Sequence, residues 1–175
     1  MIDSENDPEQ ARAAARARAV RLLAPAPLTA RQLGERLARR GFAPAVVAAV
    51  VAECIAHGWV DDGEYARRWC ERRRAQGYGR AWIQQELRQR GIAAPLAVAA
   101  FAAEEGGAEL AAARQAAARK VRSLGGLAGE GDRAKLARFL AARGFDGATV
   151  RRVVEESDEP PDPEPSAVPS ASHGG

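Results

Sequence analysis

One pattern, written three times, limits what this chain can fold into more than any other feature. It reads LGERLARRGFAPAVVAAVV at 33–51, IQQELRQRGIAAPLAVAAF at 83–101 and LARFLAARGFDGATVRRVV at 136–154. An apolar residue stands at 33, 83 and 136, and Leu follows at 37, 87 and 140. An Arg-Gly pair then comes at 40–41, 90–91 and 143–144, followed by Phe42, Ile92 and Phe145 and a second apolar run. Self-similarity at a fixed period is the signature of stacked supersecondary units.

Each part of the pattern has a physical reason. Apolar residues at i and i+4 give a helix one buried face. Glycine at the helix end supplies the left-handed C′ conformation, and the arginine before it complements the negative end of the helix dipole. The apolar residue after the glycine can fold back onto the helix it has left. Pro44 suits the first turn of the next helix, and Asp146 suits its N-cap in the third copy. A further helix precedes each pair, at roughly 9–24, 62–76 and 107–123 from the same periodicity. Thr29 with Gln32, and Asp61 with Glu64, have capping-box spacing. The expected fold is therefore all-α, with nine helices in three tandem three-helix units forming an elongated, curved helical array. The units span 11–60, 61–106 and 107–156, between an acidic, disordered N-terminus (1–10) and a disordered, Pro-rich acidic tail (157–175).

Charge is distributed unevenly. Both terminal segments carry acids and no Lys or Arg, so all 26 basic residues lie in 11–156 against 15 acids, a net +11. A basic body with acidic ends suits an anionic partner. Biased genomic composition also raises arginine content, and 24 of the 26 are Arg. No stretch approaches the ~20 apolar residues that span a bilayer. Two cysteines without a spacing pattern, and no secretory signal, point to the reducing cytoplasm.

The densest segment is DDGEYARRWCERRRAQGYGRAWIQQELRQRGI, 61–92. It resembles the central signature of the RecX family, bacterial regulators of the recombinase RecA. The resemblance rests on Asp61-Asp62, Tyr65, Trp69, Arg73, Gly77, Gly79, Ile83, Glu86-Leu87 and the closing Arg90-Gly91-Ile92; the threefold repetition over about 11–156 matches as well. It implies a regulatory protein and not an enzyme. Such a protein binds RecA filaments on single-stranded DNA, lodges in their helical groove, and restrains ATPase, strand exchange and co-protease activity. The expected partners are the RecA nucleoprotein filament and, weakly and without base preference, single-stranded DNA; a monomer and no membrane are expected.

Helical periodicity puts Tyr65, Ala66, Trp69 and Cys70 on a core face. Arg67, Arg68 and Arg74 then fall on the outer face, and Arg73 on the apolar side, where its stem can snorkel or its head pair with an acid. On the next helix Ile83 and Leu87 face inward and Trp82, Gln85 and Arg88 outward. Arg67, Arg68, Arg74, Trp82, Gln85 and Arg88 are the candidate partner-binding residues, since Trp and Arg dominate binding hot spots. Two plainer readings stay open: a charged face that is only solvated, and a Trp82 packed on the neighbouring unit. Arg40, Arg90 and Arg143 recur beside helix-ending glycines, which favours capping over ligand binding.

No catalytic constellation, cofactor site or metal site is expected. His57 and His173 are the only histidines, and no Cys/His spacing fits a metal. Gly77-Tyr78-Gly79 is a helix–helix turn with no preceding strand to make a nucleotide fold. Cys54 continues an apolar face, and Asp61-Asp62 is better explained as a helix start. The rival function is direct DNA binding, because three-helix units can act as helix-turn-helix readers. PAVVAAVVAECIA and APLAVAAFAAEE carry no Lys or Arg, which argues against base readout. A third possibility is a generic helical adaptor.

Overall fold

The computed structural model describes residues 8–102 and 107–157. Among them are nine α-helices and no strand: α1 (Pro8–Leu23), α2 (Ala30–Ala38), α3 (Pro44–Ala56), α4 (Asp62–Ala75), α5 (Arg80–Gln89), α6 (Ala94–Ala102), α7 (Ala108–Leu124), α8 (Glu130–Ala142) and α9 (Gly147–Glu156). They pack by threes, α1–α3, α4–α6 and α7–α9. Helix α1 starts at Pro8, close to the 9–24 expected from periodicity, so residues 8–10 belong to the helix and not to the disordered N-terminus set at 1–10. The rest of that segment, and the tail from 158, lie outside the described residues.

Each unit has its own core. Leu33 and Leu37, Ile83 and Leu87, and Leu136 and Leu140 are the fully buried pairs of the three middle helices. They pack against Ala15 and Ala19 in the first unit, against Ala66, Trp69 and Phe101 in the second, and against an alanine stripe, Ala112, Ala113, Ala116 and Ala117, in the third. Units of about fifty residues bury little apolar surface alone, so how they join decides the stability of the array.

The helix ends follow the sequence closely. Thr29 caps α2 with a complete capping box through Gln32, and Pro44 begins α3. Asp61 accepts from Glu64 N (2.8 Å), while the Glu64 carboxylate turns to Arg67 and Arg68. Asp146 accepts from Thr149 N at 2.9 Å. Gly41, Gly91 and Gly144 share φ values of 84–86°, and Ile92 N and Phe145 N reach back to the carbonyls of Leu87 and Leu140. These are left-handed helix ends that an L side chain resists.

The three middle helices run head to tail. At the start of α2, Thr29 Oγ1 donates to the Arg90 carbonyl (2.7 Å), Ala30 N to Asp62 Oδ1 (2.9 Å), and the Arg31 guanidinium to the Gln89 carbonyl. At the start of α5, Gly79 N donates to the Arg143 carbonyl (2.8 Å), Ala81 N to the Gly144 carbonyl (3.1 Å), and Arg80 N to Glu109 Oε1 (3.0 Å). At the second of these junctions orphan N–H groups of α5 thus meet the end carbonyls of α8, while at the first the Thr29 hydroxyl and the Arg31 guanidinium reach the end carbonyls of α5 and Ala30 N goes to a carboxylate. In both, the dipoles align positive to negative. Gly79 offers α5 no capping side chain because the third unit does the capping. A Cβ on Gly79 would overlap the Gly144 carbonyl group, and a Cβ on Gly144 would overlap the Trp82 backbone nitrogen.

Candidate docking surface of the second unit

Trp69 organises the second unit. Its indole Nε1 donates to Glu86 Oε2 (2.9 Å), and Arg73 grips the same carboxylate from Nε (2.7 Å) and NH2 (2.5 Å). The guanidinium carbons of Arg72, Arg73 and Arg90 lie 4.5, 4.7 and 3.6 Å from the Trp69 ring centroid, within cation–π range. Tyr65 stacks beside Trp69 at 6.0 Å and its hydroxyl accepts from Arg90 NH1 at 3.3 Å. Arg73 is therefore structural, as its position on the apolar side implied. Its pair with Glu86 is largely shielded, and a half-removed pair would leave a charge without a partner.

Five of the six candidate residues face solvent. Arg67 and Arg68 are exposed and share Glu64, Arg68 at 2.6 Å. Gln85 and Arg88 are exposed on α5. Trp82 is 41% exposed and stacks on Tyr78 at 5.4 Å, while its backbone abuts Gly144. The packing reading holds for the Trp82 backbone, which belongs to the junction, while its indole remains half open.

Arg74 is a correction. Its side chain is only 10% exposed, turned toward Glu109 (3.9 Å) and the Phe101 ring (5.5 Å). The helical wheel placed it outward because it treats the second unit as free-standing; α7 packs on α4 and covers that side. Arg68 opens onto the side facing the first unit, and Trp82 lies against the third.

The recurrent arginines also differ from their expected role. Arg143 does cap a helix, but α4 and not its own: NH1 donates to the carbonyls of Gln76 (2.9 Å) and Gly77 (3.3 Å). The Arg90 side chain lies on Trp69 instead. Sequence periodicity within a unit carries no signal for the cross-unit contact of Arg143. Arg36, Arg72 and Arg90 gather around Tyr65 and Trp69 in the fold, and the only local sign of this is Arg72, three residues from Trp69 on one helix.

The described residues hold no group of three His, Cys, Asp or Glu placed to bind a metal. Cys54 is buried, and burial pushes its thiol pKa up, which disfavours the reactive thiolate. No helix among the described residues is long and apolar enough to cross a membrane.

Comparison with known proteins agrees with the three-unit division. Models of the first, second and third three-helix domains of RecX match residues 15–54, 61–100 and 108–154. Regulatory protein RecX of Thermobifida fusca is 36% identical over 153 residues, covering 87% of this chain and 83% of that one. Its counterpart in Streptomyces coelicolor is 34% identical over 146 residues, covering 83% and 78%. In fold, the crystal structure of RecX from Lactobacillus salivarius superposes with a TM-score of 0.78 at 14% identity, covering 86% of this chain and 98% of that one.

Proposed function

Because this chain belongs to the RecX family of regulatory proteins, we propose that it binds RecA filaments on single-stranded DNA. By occupying the filament groove it restrains ATPase, strand exchange and co-protease activity, in the cytoplasm and as a monomer. The observation that carries this reading is the head-to-tail joining of the three units through hydrogen bonds to helix-end carbonyls, from the Thr29 and Arg31 side chains at one junction and from the Gly79 and Ala81 backbone at the other. Such joints hold three exposed faces in fixed register, which suits a partner that itself repeats. A groove-bound array that bridges successive protomers opposes the rearrangements that hydrolysis and strand exchange require. Arg67, Arg68, Gln85, Arg88 and the open face of Trp82 are the proposed contacts, charge steering the encounter and the indole supplying desolvated area. Arg74 contributes through the junction instead.

The rival reading, direct DNA binding, draws on the net +11 of the body. Helices α3 and α6 carry no basic side chain, so in the first two units it is limited to sequence-independent phosphate contact. Co-sedimentation separates the two. The full chain should pellet saturably with RecA–DNA filaments at a salt concentration where the DNA alone does not retain it. Equal pelleting with DNA alone would leave only the rival.

A further inference from the structure

A cleft of about 530 Å³ lies where the first unit meets the second. Arg36 of α2, Arg68 and Arg72 of α4 and Arg90 after α5 converge on it, with Tyr65 and Trp69 beneath and Pro27-Leu28 as an apolar wall. No acid lines it. Two shielded arginines on the same helix α4 meet carboxylates: Arg73 meets Glu86, and Arg74 approaches Glu109. Here Arg68 alone is shared with a carboxylate, Glu64. Arg90 Nε is enclosed without a hydrogen-bond acceptor.

We propose that this cleft is a phosphate-binding site for the backbone of single-stranded nucleic acid. Like charges converging without acids repel each other unless an anion joins them. Stacking of Arg72 and Arg90 on Trp69 orders their guanidinium planes in advance, and planar forks suit bidentate capture of phosphate oxygens. A single carboxylate would leave most of this volume and charge unfilled. A run of phosphodiesters brings one negative charge per nucleotide, and its sugars and bases can lie along Pro27-Leu28 and the Tyr65 ring. The Trp69 face is already covered by arginine, so the site reads phosphate and not base identity. It goes beyond filament binding and does not depend on it.

The test uses the full chain and a fluorescein-labelled oligothymidylate. Arg36→Gln/Arg72→Gln removes two exposed charges of the cleft; Arg122→Gln/Arg138→Gln removes two exposed charges of the third unit. The cleft pair should weaken binding about tenfold and reduce the slope of log K against log salt by about 1.4, the value for two lost single-strand phosphate contacts. The control pair should change affinity less than about twofold. Equal losses from both pairs would mean diffuse attraction and overturn the site, as would a wild-type chain that does not bind at low salt. If the cleft pair keeps oligothymidylate binding yet fails to pellet with RecA filaments, the cleft docks protein and the proposal is wrong. If the cleft pair melts early, Arg36→Gln alone decides, with about half the expected change in slope; no change in its slope overturns the site.

Discussion

The two junctions use the same device with different closure. At the junction between second and third units the α5 backbone lies directly on Gly144, Arg143 caps α4, and Glu109 of α7 takes Arg80 N and approaches Arg74. At the junction between first and second units a side chain, Arg31, covers Gly91, and an arginine-lined cleft stays open. The same Arg-Gly helix end therefore makes a sealed joint in one place and an accessible one in the other. The difference lies in what meets it: the α5 backbone with a packed α7 and its Glu109 in one case, and the side chains of Thr29 and Arg31 beside an arginine-lined cleft in the other.

The largest expected effect tests the sealed joint. Gly144→Ala combines a left-handed conformation with a Cβ placed against the Trp82 backbone, which cannot swing aside. It should destabilise the chain by about 3 kcal/mol, the strain of one such residue plus overpacking. Urea denaturation of the variant measures this; a loss no greater than that of Gly41→Ala would mean the joint is loose. Thr29→Ala comes next, removing the N-cap of α2 and its bond to the Arg90 carbonyl together, at about 2 kcal/mol. A loss of only a few tenths would show that the cross-unit bond contributes nothing.

Gly91→Ala and Gly41→Ala sharpen the contrast. Both have φ within a few degrees of Gly144, but a Cβ at Gly91 overlaps the Arg31 side chain as far in as the Arg31 Cβ, and at Gly41 it meets nothing within 4 Å. Gly41→Ala should cost about 1 kcal/mol from backbone strain alone, and Gly91→Ala about 2 kcal/mol, since most of the Arg31 side chain can swing away but its Cβ must shift. If Gly91→Ala equalled Gly144→Ala in the same denaturation series, the two joints would be equally tight and the comparison would collapse.

The smallest effect concerns acid. Glu156, held by Arg114 from α7, is lowered from 4.5 to about 2, and Glu53, held by Arg16 of α1, is also lowered. A carboxylate with a depressed folded-state pKa stabilises above its unfolded value and loses that contribution as pH falls through the folded one. The α7–α9 seam should therefore weaken between about pH 4.5 and 2. Glu156→Gln should flatten that part of the melting-temperature profile. Both residues are solvent-screened, so the shift is small, and an unchanged profile would show that the seam does not depend on this pair.

Much of this was legible in the sequence, because the signals are local. The i, i+4 leucines, the Arg-Gly ends, Pro44 and the caps at Thr29, Asp61 and Asp146 depend on neighbours within one helical turn. Arg73 was read correctly because the Trp69 face is set by its own helix. Arg74 was misplaced because its cover comes from α7, more than thirty residues on. The carbonyls of Arg90 and Arg143 serve the preceding unit, and backbone acceptors have no sequence signature. The cleft was missed for a related reason: Arg36 and Arg90 belong to different units, and only the angle of the joint brings them together.

RecA ATPase on single-stranded DNA, with the full chain titrated in, tests whether this array occupies and restrains a RecA filament. Hydrolysis should fall saturably over the same concentrations at which the chain pellets with the filament. A rate that stays constant, or rises, while the chain is bound would contradict it.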